Sequence, residues 1–316
     1  TGYSTSVDVL NKLKNVHPII DKVLNYRTLS KLYSTYIIGL QEQIFIDGKT
    51  HTIYNQALTQ TGRLSSTDPN LQNIPVKTEE GKLIRKAFVP EYDYLISFDY
   101  SQIELRVLAH LANVTSLIDA FNHDKDIHRH TASVVFGVSE EEVTSTMRRN
   151  AKAVNFGIIY GMSDYGLAEQ LGVTVKEAKS FIEKYFEKYA EIKDYMNKSI
   201  AFGKENGYVS TVLNRKRYIP EINEKNYMRQ EFGKRLAMNS PIQGSAADII
   251  KLAMIKVDQL LKENHMKSKM ILQVHDELIF DVKMMKLVKE GMESAYQMKV
   301  ELKAEGTYAK NWYELK

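Results

Sequence analysis

Two aspartates in this chain stand where a carboxylate can be aimed at something. Asp99 follows the apolar run from Tyr94 to Phe98. Asp276 lies in MILQVHDELIFDV, residues 270–282, where apolar runs flank His275, Asp276 and Glu277. The second stretch reads as a hairpin with those three residues at its tip, and the first as a strand end followed by a helix from about Ser101. Either aspartate alone is explained at least as well as a solvated turn residue. On two strand ends of one sheet, they become a pair able to hold two Mg²⁺ ions about 3.5–4 Å apart, an arrangement that moves phosphoryl groups in line. Hard oxygen ligands suit Mg²⁺, and the absence of cysteine removes thiolate alternatives.

A third segment carries the groups such a site would need. In MRRNAKAVNFGIIYG, residues 147–161, Arg148, Lys152, Phe156 and Tyr160 recur every fourth position and line one helical face. The cations can grip a triphosphate and the aromatics can stack on a base. The competing reading is a surface helix with its cations in water and its aromatics in the core. Near Asp99, Ser101 and Glu104 fit a capping box, which would make Glu104 a helix cap. HDKDIHRH, residues 123–130, holds three His and two Asp, a composition that could also bind zinc.

The elements that must position these residues are of mixed type. The 316 residues are 43% hydrophobic, enough for a substantial core. A net charge of +4 is too small to indicate nucleic-acid binding unless the cations cluster locally. No run of 18 apolar residues occurs, so no membrane partner is expected. A cysteine-free chain suits a reducing cytoplasm. The opening TGYSTS has neither an initiator Met nor a signal-peptide pattern, as in a fragment. Residues 5–44 read helical with a break at Pro18, 50–98 mixed, and 101–200 mainly helical. A hairpin around Asn214 follows, then helices at about 226–238 and 245–263, the 270–282 hairpin, one more helix and a short terminal strand. An interrupted sheet with a helical insertion is an α+β plan.

DYSQIELR, RRNAKAVNFGIIYG and QVHDELIF resemble motifs A, B and C of the family A DNA polymerases, of the bacterial polymerase I type. TGRLSSTDPNLQNIP, DIHR and NSPIQGSAAD are similar to further stretches of that family, in the same order. The resemblance covers essentially the whole chain. It implies a right-hand fold, with an antiparallel palm sheet carrying the active site, a helical fingers insertion and a partial helical thumb. The expected divisions are base of thumb 1–44, palm 45–112 and 235–316, and fingers 113–234. The implied activity is addition of deoxynucleoside triphosphates to a primer 3′ end, in DNA replication and repair, by a monomer acting on primer-template DNA.

Carried over by position, the resemblance makes Asp99 and Asp276 metal-binding residues, with the Tyr100 carbonyl as a further ligand. Mg²⁺ is the implied ion, two per site, with Mn²⁺ as a substitute. One metal would lower the pKa of the primer hydroxyl and the other would neutralise the leaving pyrophosphate. Arg148 and Lys152 would hold the triphosphate, aided by His128 and Gln102. Phe156 and Tyr160 would flank the nascent base pair, Glu104 would crowd the sugar 2′ position, Glu277 would sit beside the metals and His275 near the primer terminus. Arg63, Arg235, Asn239 and Gln243, with Asn70 and Gln72, correspond to family residues along the primer-template. Donors in the minor groove meet acceptors common to every base pair, so they can test pair shape without reading sequence.

The match of DIHR to the family favours phosphate contact by His128 over zinc. Two rival functions also follow from these motifs. A single-subunit RNA polymerase of the phage and mitochondrial type is disfavoured by Glu104 and by Phe156, where those enzymes resemble one another in carrying Tyr. A non-catalytic DNA-binding remnant is disfavoured by the joint presence of Asp99, Asp276, Arg148 and Lys152.

Overall fold

The computed structural model describes residues 2–76, 78–282 and 286–315. They fall into two compact units, Thr1–Gln56 with Ser65–Leu95 and Tyr308–Lys316, and Ala57–Leu64 with Ile96–Thr307.

In the first unit, helices Val7–Lys12 and Ile19–Lys31 flank the break at Pro18. Short strands Ile53–Asn55 and Ser65–Thr67 pair antiparallel. The Ser66 hydroxyl, fully buried, lies 2.6 Å from Thr52 Oγ1 and accepts from the Leu71 backbone N–H at 2.9 Å. It thereby ties the polar SSTDPN loop to the turn that follows, a Leu71–Asn73 3₁₀ turn begun by Asn70. Trp312 is also fully buried, with Phe88 edge-on at 5.3 Å and the Arg85 guanidinium 4.4 Å above its ring.

The second unit holds most of a four-stranded sheet in the spatial order Lys269–Val274, Glu277–Val282, Tyr94–Tyr100, Ala304–Ala309. Every residue of Glu277–Val282 is buried, as expected for a strand covered on both faces. Seven helices, from Ile103–Ala112 to Ala190–Asn206, follow the Tyr94–Tyr100 strand. Their starts are legible in chemistry: Asp126, Thr144, Ser163 and Thr174 each accept a hydrogen bond from an otherwise orphaned first-turn N–H. The expected hairpin at Asn214 is present, with Tyr208–Ser210 paired to Lys216–Tyr218 and Asn214 at φ 60°.

One expectation fails here. The helices placed at 226–238 and 245–263 are one helix, Tyr227–Glu263, running through Pro241. An interior proline removes a hydrogen bond and clashes with the preceding turn, at a cost of about 3 kcal/mol. A buried stripe, Ile242, Ala246, Ile249, Ala253 and Val257, offsets that cost by packing the continuous helix into the core. Periodicity alone could not show that packing. Among the described residues no helix is long and apolar enough to cross a membrane.

Candidate active site

Asp99 is the penultimate residue of the Tyr94–Tyr100 strand and is half-buried. The Tyr100 side chain anchors that strand end, with its hydroxyl buried and donating to the Met292 carbonyl at 2.6 Å. Asp276 occupies a two-residue turn with His275, since Val274 pairs directly with Glu277. His275 takes the left-handed region at φ 57°, which His tolerates better than most residues. The sequence reading put Glu277 at the tip as well. It is instead the first residue of the strand, buried, with the Ser97 hydroxyl donating to its carboxylate. The backbone N–H of Tyr100 donates to the Asp276 carbonyl at 3.1 Å, so the two aspartate mounts are joined through the main chain.

Glu104 does not cap its helix. The N-cap of Ile103–Ala112 is Gln102, at φ 54° and without a side-chain cap. The buried Glu104 carboxylate has other partners: Arg63 Nη2 donates to Oε1 at 2.7 Å and the Tyr160 hydroxyl to Oε2 at 2.9 Å. These partners come from elsewhere in the chain, which is why a local capping pattern misled. Arg63 Nη2 also lies 3.8 Å from Asp276 Oδ1. A chain of polar contacts thus runs Tyr160, Glu104, Arg63, Asp276. Burial and the Glu104 carboxylate push the Tyr160 phenol above its ordinary range, so it stays a donor.

Tyr160 ends the Ser145–Ile159 helix, and the expected face is intact. Phe156 stacks on Tyr160 with centroids 6.4 Å apart and lies 6.1 Å from the His128 ring. Lys152 is exposed, and Arg148 Nε donates to Asp126 Oδ2 at 2.6 Å. Burial pushes the Asp126 carboxyl up, but the Arg148 bond, a backbone N–H and nearby cations hold it below its usual value. His128 is buried, and burial followed by the charges of Lys152 and Arg148 brings its imidazole down to about 4. The site therefore combines a neutral imidazole, cations and aromatic faces on one surface.

The three imidazoles of HDKDIHRH do not converge. His123 lies against Asp119, His128 against Asn155 and His130 against Glu140. No group of three or more His, Cys, Asp or Glu residues able to hold a metal is found among the described residues. The paired aspartates with the Tyr100 carbonyl form a smaller donor set. Two carboxylates and a carbonyl on adjacent, anchored backbone fit a hard divalent cation that completes its coordination with substrate oxygens.

Arg235, Asn239 and Gln243 recur every fourth residue on the long helix. Asn239 Nδ2 reaches the Ile159 carbonyl at 3.5 Å. Gly161, at φ 62°, follows; a Cβ there would stand 2.8 Å from Met238 and 2.9 Å from Arg235. This close approach sets Arg235 beside the end of the Tyr160 helix. Asn70 and Gln72 belong to the first unit, at its Leu71–Asn73 turn.

Three supporting residues, Arg215, Asn155 and Asp126, are not evident as such from the sequence. Arg215 donates to Asp248 Oδ1 at 2.9 Å, to the Thr61 carbonyl at 3.0 Å and to the Gly244 carbonyl at 2.8 Å. Its guanidinium fills the space where a Cβ on Gly62 would sit, and so fixes the loop bearing Arg63. Asn155 and Asp126 hold His128 and Arg148. Asp126 had a legible signal, a cap residue ahead of a helix. The rest are long-range contacts with none.

The chain belongs to DNA polymerase family A, whose model matches residues 1–314. It is 56% identical over 324 residues to DNA polymerase I of Lactococcus lactis subsp. cremoris (strain MG1363), and 56% identical over 325 residues to DNA polymerase I of Bacillus subtilis (strain 168). Each alignment covers 100% of this chain and 37% of the relative, so the chain spans little more than a third of their length. The fold is similar to a solved structure, the POL domain of Pol1 from M. smegmatis in complex with DNA primer-template and dNTP. That similarity has a TM-score of 0.92 and 45% identity, covering 99% of this chain and 57% of the other. The α+β architecture expected from the motifs is thus the family's own.

Proposed function

We propose that this site performs template-directed DNA synthesis, adding deoxynucleotides to a primer 3′ end with release of pyrophosphate. The observation that carries the reading is the Tyr160–Glu104–Arg63–Asp276 chain. It ties the cation-and-aromatic helix face to a carboxylate of the pair, which supports reading the two as parts of one site. The M. smegmatis relative, solved with primer-template and dNTP, supports the same substrate class.

In this reading Asp99, Asp276 and the Tyr100 carbonyl hold Mg²⁺. The bound ions would supply activation of the primer hydroxyl and neutralisation of the departing pyrophosphate. Lys152, exposed on the helix face, and Arg148, once it exchanges Asp126 for phosphate, grip the incoming triphosphate. His128 adds a neutral donor, and Gln102 contributes from its left-handed position. Phe156 and Tyr160 flank the new base pair, while Glu104, pinned by two donors, stands against a 2′-hydroxyl. That last feature disfavours the RNA-polymerase reading. Glu277, buried against Ser97, supports the metal site, and His275 faces the primer end. Arg63, Arg235, Asn239 and Gln243 contact the minor groove, with Asn70 and Gln72 beside the template. The divisions at 1–44, 45–112, 113–234 and 235–316 serve as thumb base, palm, fingers and palm of a monomeric, cytoplasmic enzyme.

Primer extension with Mg²⁺ by the full-length protein tests the reading. Asp99→Ala or Asp276→Ala should each lower extension by more than about a hundredfold, some 2.7 kcal/mol, while primer-template affinity survives. Near-normal extension by either variant would falsify the paired-aspartate assignment.

A further inference from the structure

Behind the helix face lies a buried asparagine that the proposed chemistry does not use. Asn155 is buried, one residue before Phe156, with its side chain turned away from solvent. Its Nδ2 lies 3.0 Å from His128 Nδ1, and its Oδ1 accepts from the Thr131 hydroxyl at 3.2 Å. Thr131 and His128 share the Ile127–Phe136 helix, so Asn155 bridges that helix to its own at two points. An amide nitrogen has no lone pair to offer. With Nδ2 facing it, His128 Nδ1 must accept, and the ring proton must sit on Nε2.

We propose that Asn155 is a positioning residue that fixes His128 as the Nε2–H tautomer, so that the site presents the incoming triphosphate with a donor. The inference rests on the nucleotide-binding role given to His128 above. The groups facing the imidazole agree with it. Lys152 and Arg148 oppose a second proton, Asp126 on the same helix favours one but is already engaged with Arg148, and Phe156 packs beside the ring. Burial is the larger cause and the two cations add to it, so the ring stays neutral at working pH. A neutral imidazole with the opposite tautomer would turn a lone pair toward phosphate oxygen and repel it. The tautomer therefore decides whether His128 helps or hinders, and Asn155 decides the tautomer.

The tautomer can be read without any nucleotide. Long-range ¹H–¹⁵N spectra of histidine-labelled full-length protein, with His128→Gln to assign the signal, should show the proton on Nε2 and no titration between about pH 6 and 8. In Asn155→Leu the tautomers should mix. In Asn155→Asp the carboxylate should draw a second proton onto the ring, and the imidazole should titrate within that window. Single-turnover extension should then show a nucleotide requirement raised about tenfold in Asn155→Leu at unchanged primer-template affinity. In Asn155→Asp that requirement should become pH-dependent where the parent protein's is flat. A wild-type proton on Nδ1, or an Asn155→Leu tautomer identical to wild type, overturns the proposal. If Lys152→Ala raises the nucleotide requirement and Asn155→Leu does not, this inference alone fails. If neither does, the nucleotide-binding reading fails with it.

Discussion

The backbone N–H of Tyr100 donates to the carbonyl of Asp276 at 3.1 Å, joining residues between which the whole helical insertion lies. The bond sets the end of one strand against the turn of a hairpin. Neither carboxylate has to be ordered by its own side-chain contacts when the backbones beneath them are already fixed to each other. Both mounts are further secured from below, by the Tyr100 hydroxyl on Met292 and by the Ser97 hydroxyl on Glu277. Such preorganisation suits the metal-binding role proposed for the two carboxylates.

Lys152→Ala and Arg148→Ala should impair nucleotide use far more than primer-template binding. Lys152 is exposed on the helix face, and Arg148 is held beside it by Asp126. Loss of one charge-assisted contact should raise the nucleotide concentration needed for half-maximal single-turnover extension by at least about tenfold. A defect confined to DNA affinity would remove the triphosphate role from this face.

Phe156→Tyr should relax discrimination against dideoxynucleotides. Phe156 is half-buried between His128 and Tyr160, so a hydroxyl at its edge has room to face the sugar instead of being sealed in the core. Here the added group would substitute for the missing 3′-hydroxyl contact. The readout is the ratio of dideoxy to deoxy incorporation. An unchanged ratio in a folded variant would mean that Phe156 does not meet the sugar.

Gly62→Ala should destabilise the protein by about 2–4 kcal/mol, measured as a fall in denaturant midpoint at constant slope. Gly62 sits at φ 79°, and the Arg215 guanidinium occupies the place of a Cβ. Displacing Arg215 would also break its bonds to Asp248, Thr61 and Gly244. Combining Gly62→Ala with Arg215→Ala should therefore cost less than the sum of the two, because the clash disappears with the guanidinium. Additive costs would show that the loop and Arg215 are independent.

Stability should fall in alkaline solution. Burial raises the phenols of Tyr100, Tyr185 and Tyr189 above their ordinary value, that of Tyr189 to about 12. Unfolding releases these groups to titrate near 10, so above that pH the unfolded chain binds fewer protons than the folded one. Their contribution is then fully present below about pH 10 and is lost as pH rises, by up to about 1.4 kcal/mol per pH unit for each phenol. Tyr185 is fully buried, and Tyr185→Phe should make the decline shallower. An identical slope in that variant would count against the assignment.

Much of the chemistry was legible in residue types and spacing alone. Apolar runs of β-formers located the strand that ends at Asp99 and the hairpin that presents Asp276, and a four-residue repeat located the helix face from Arg148 to Tyr160, because helical periodicity follows from backbone geometry. Turn chemistry located the hairpin at Asn214 for the same local reason. The tertiary structure decided everything that depends on partners distant in the chain. Glu104 looks like a cap until Arg63 and Tyr160 reach it. Pro241 looks like a helix end until the core packs around an unbroken helix. Asn155 reads as an ordinary polar residue until it is found bridging Thr131 and His128. A hydrogen bond between remote residues leaves no period in the sequence, and it is such bonds that orient the groups on which the site depends.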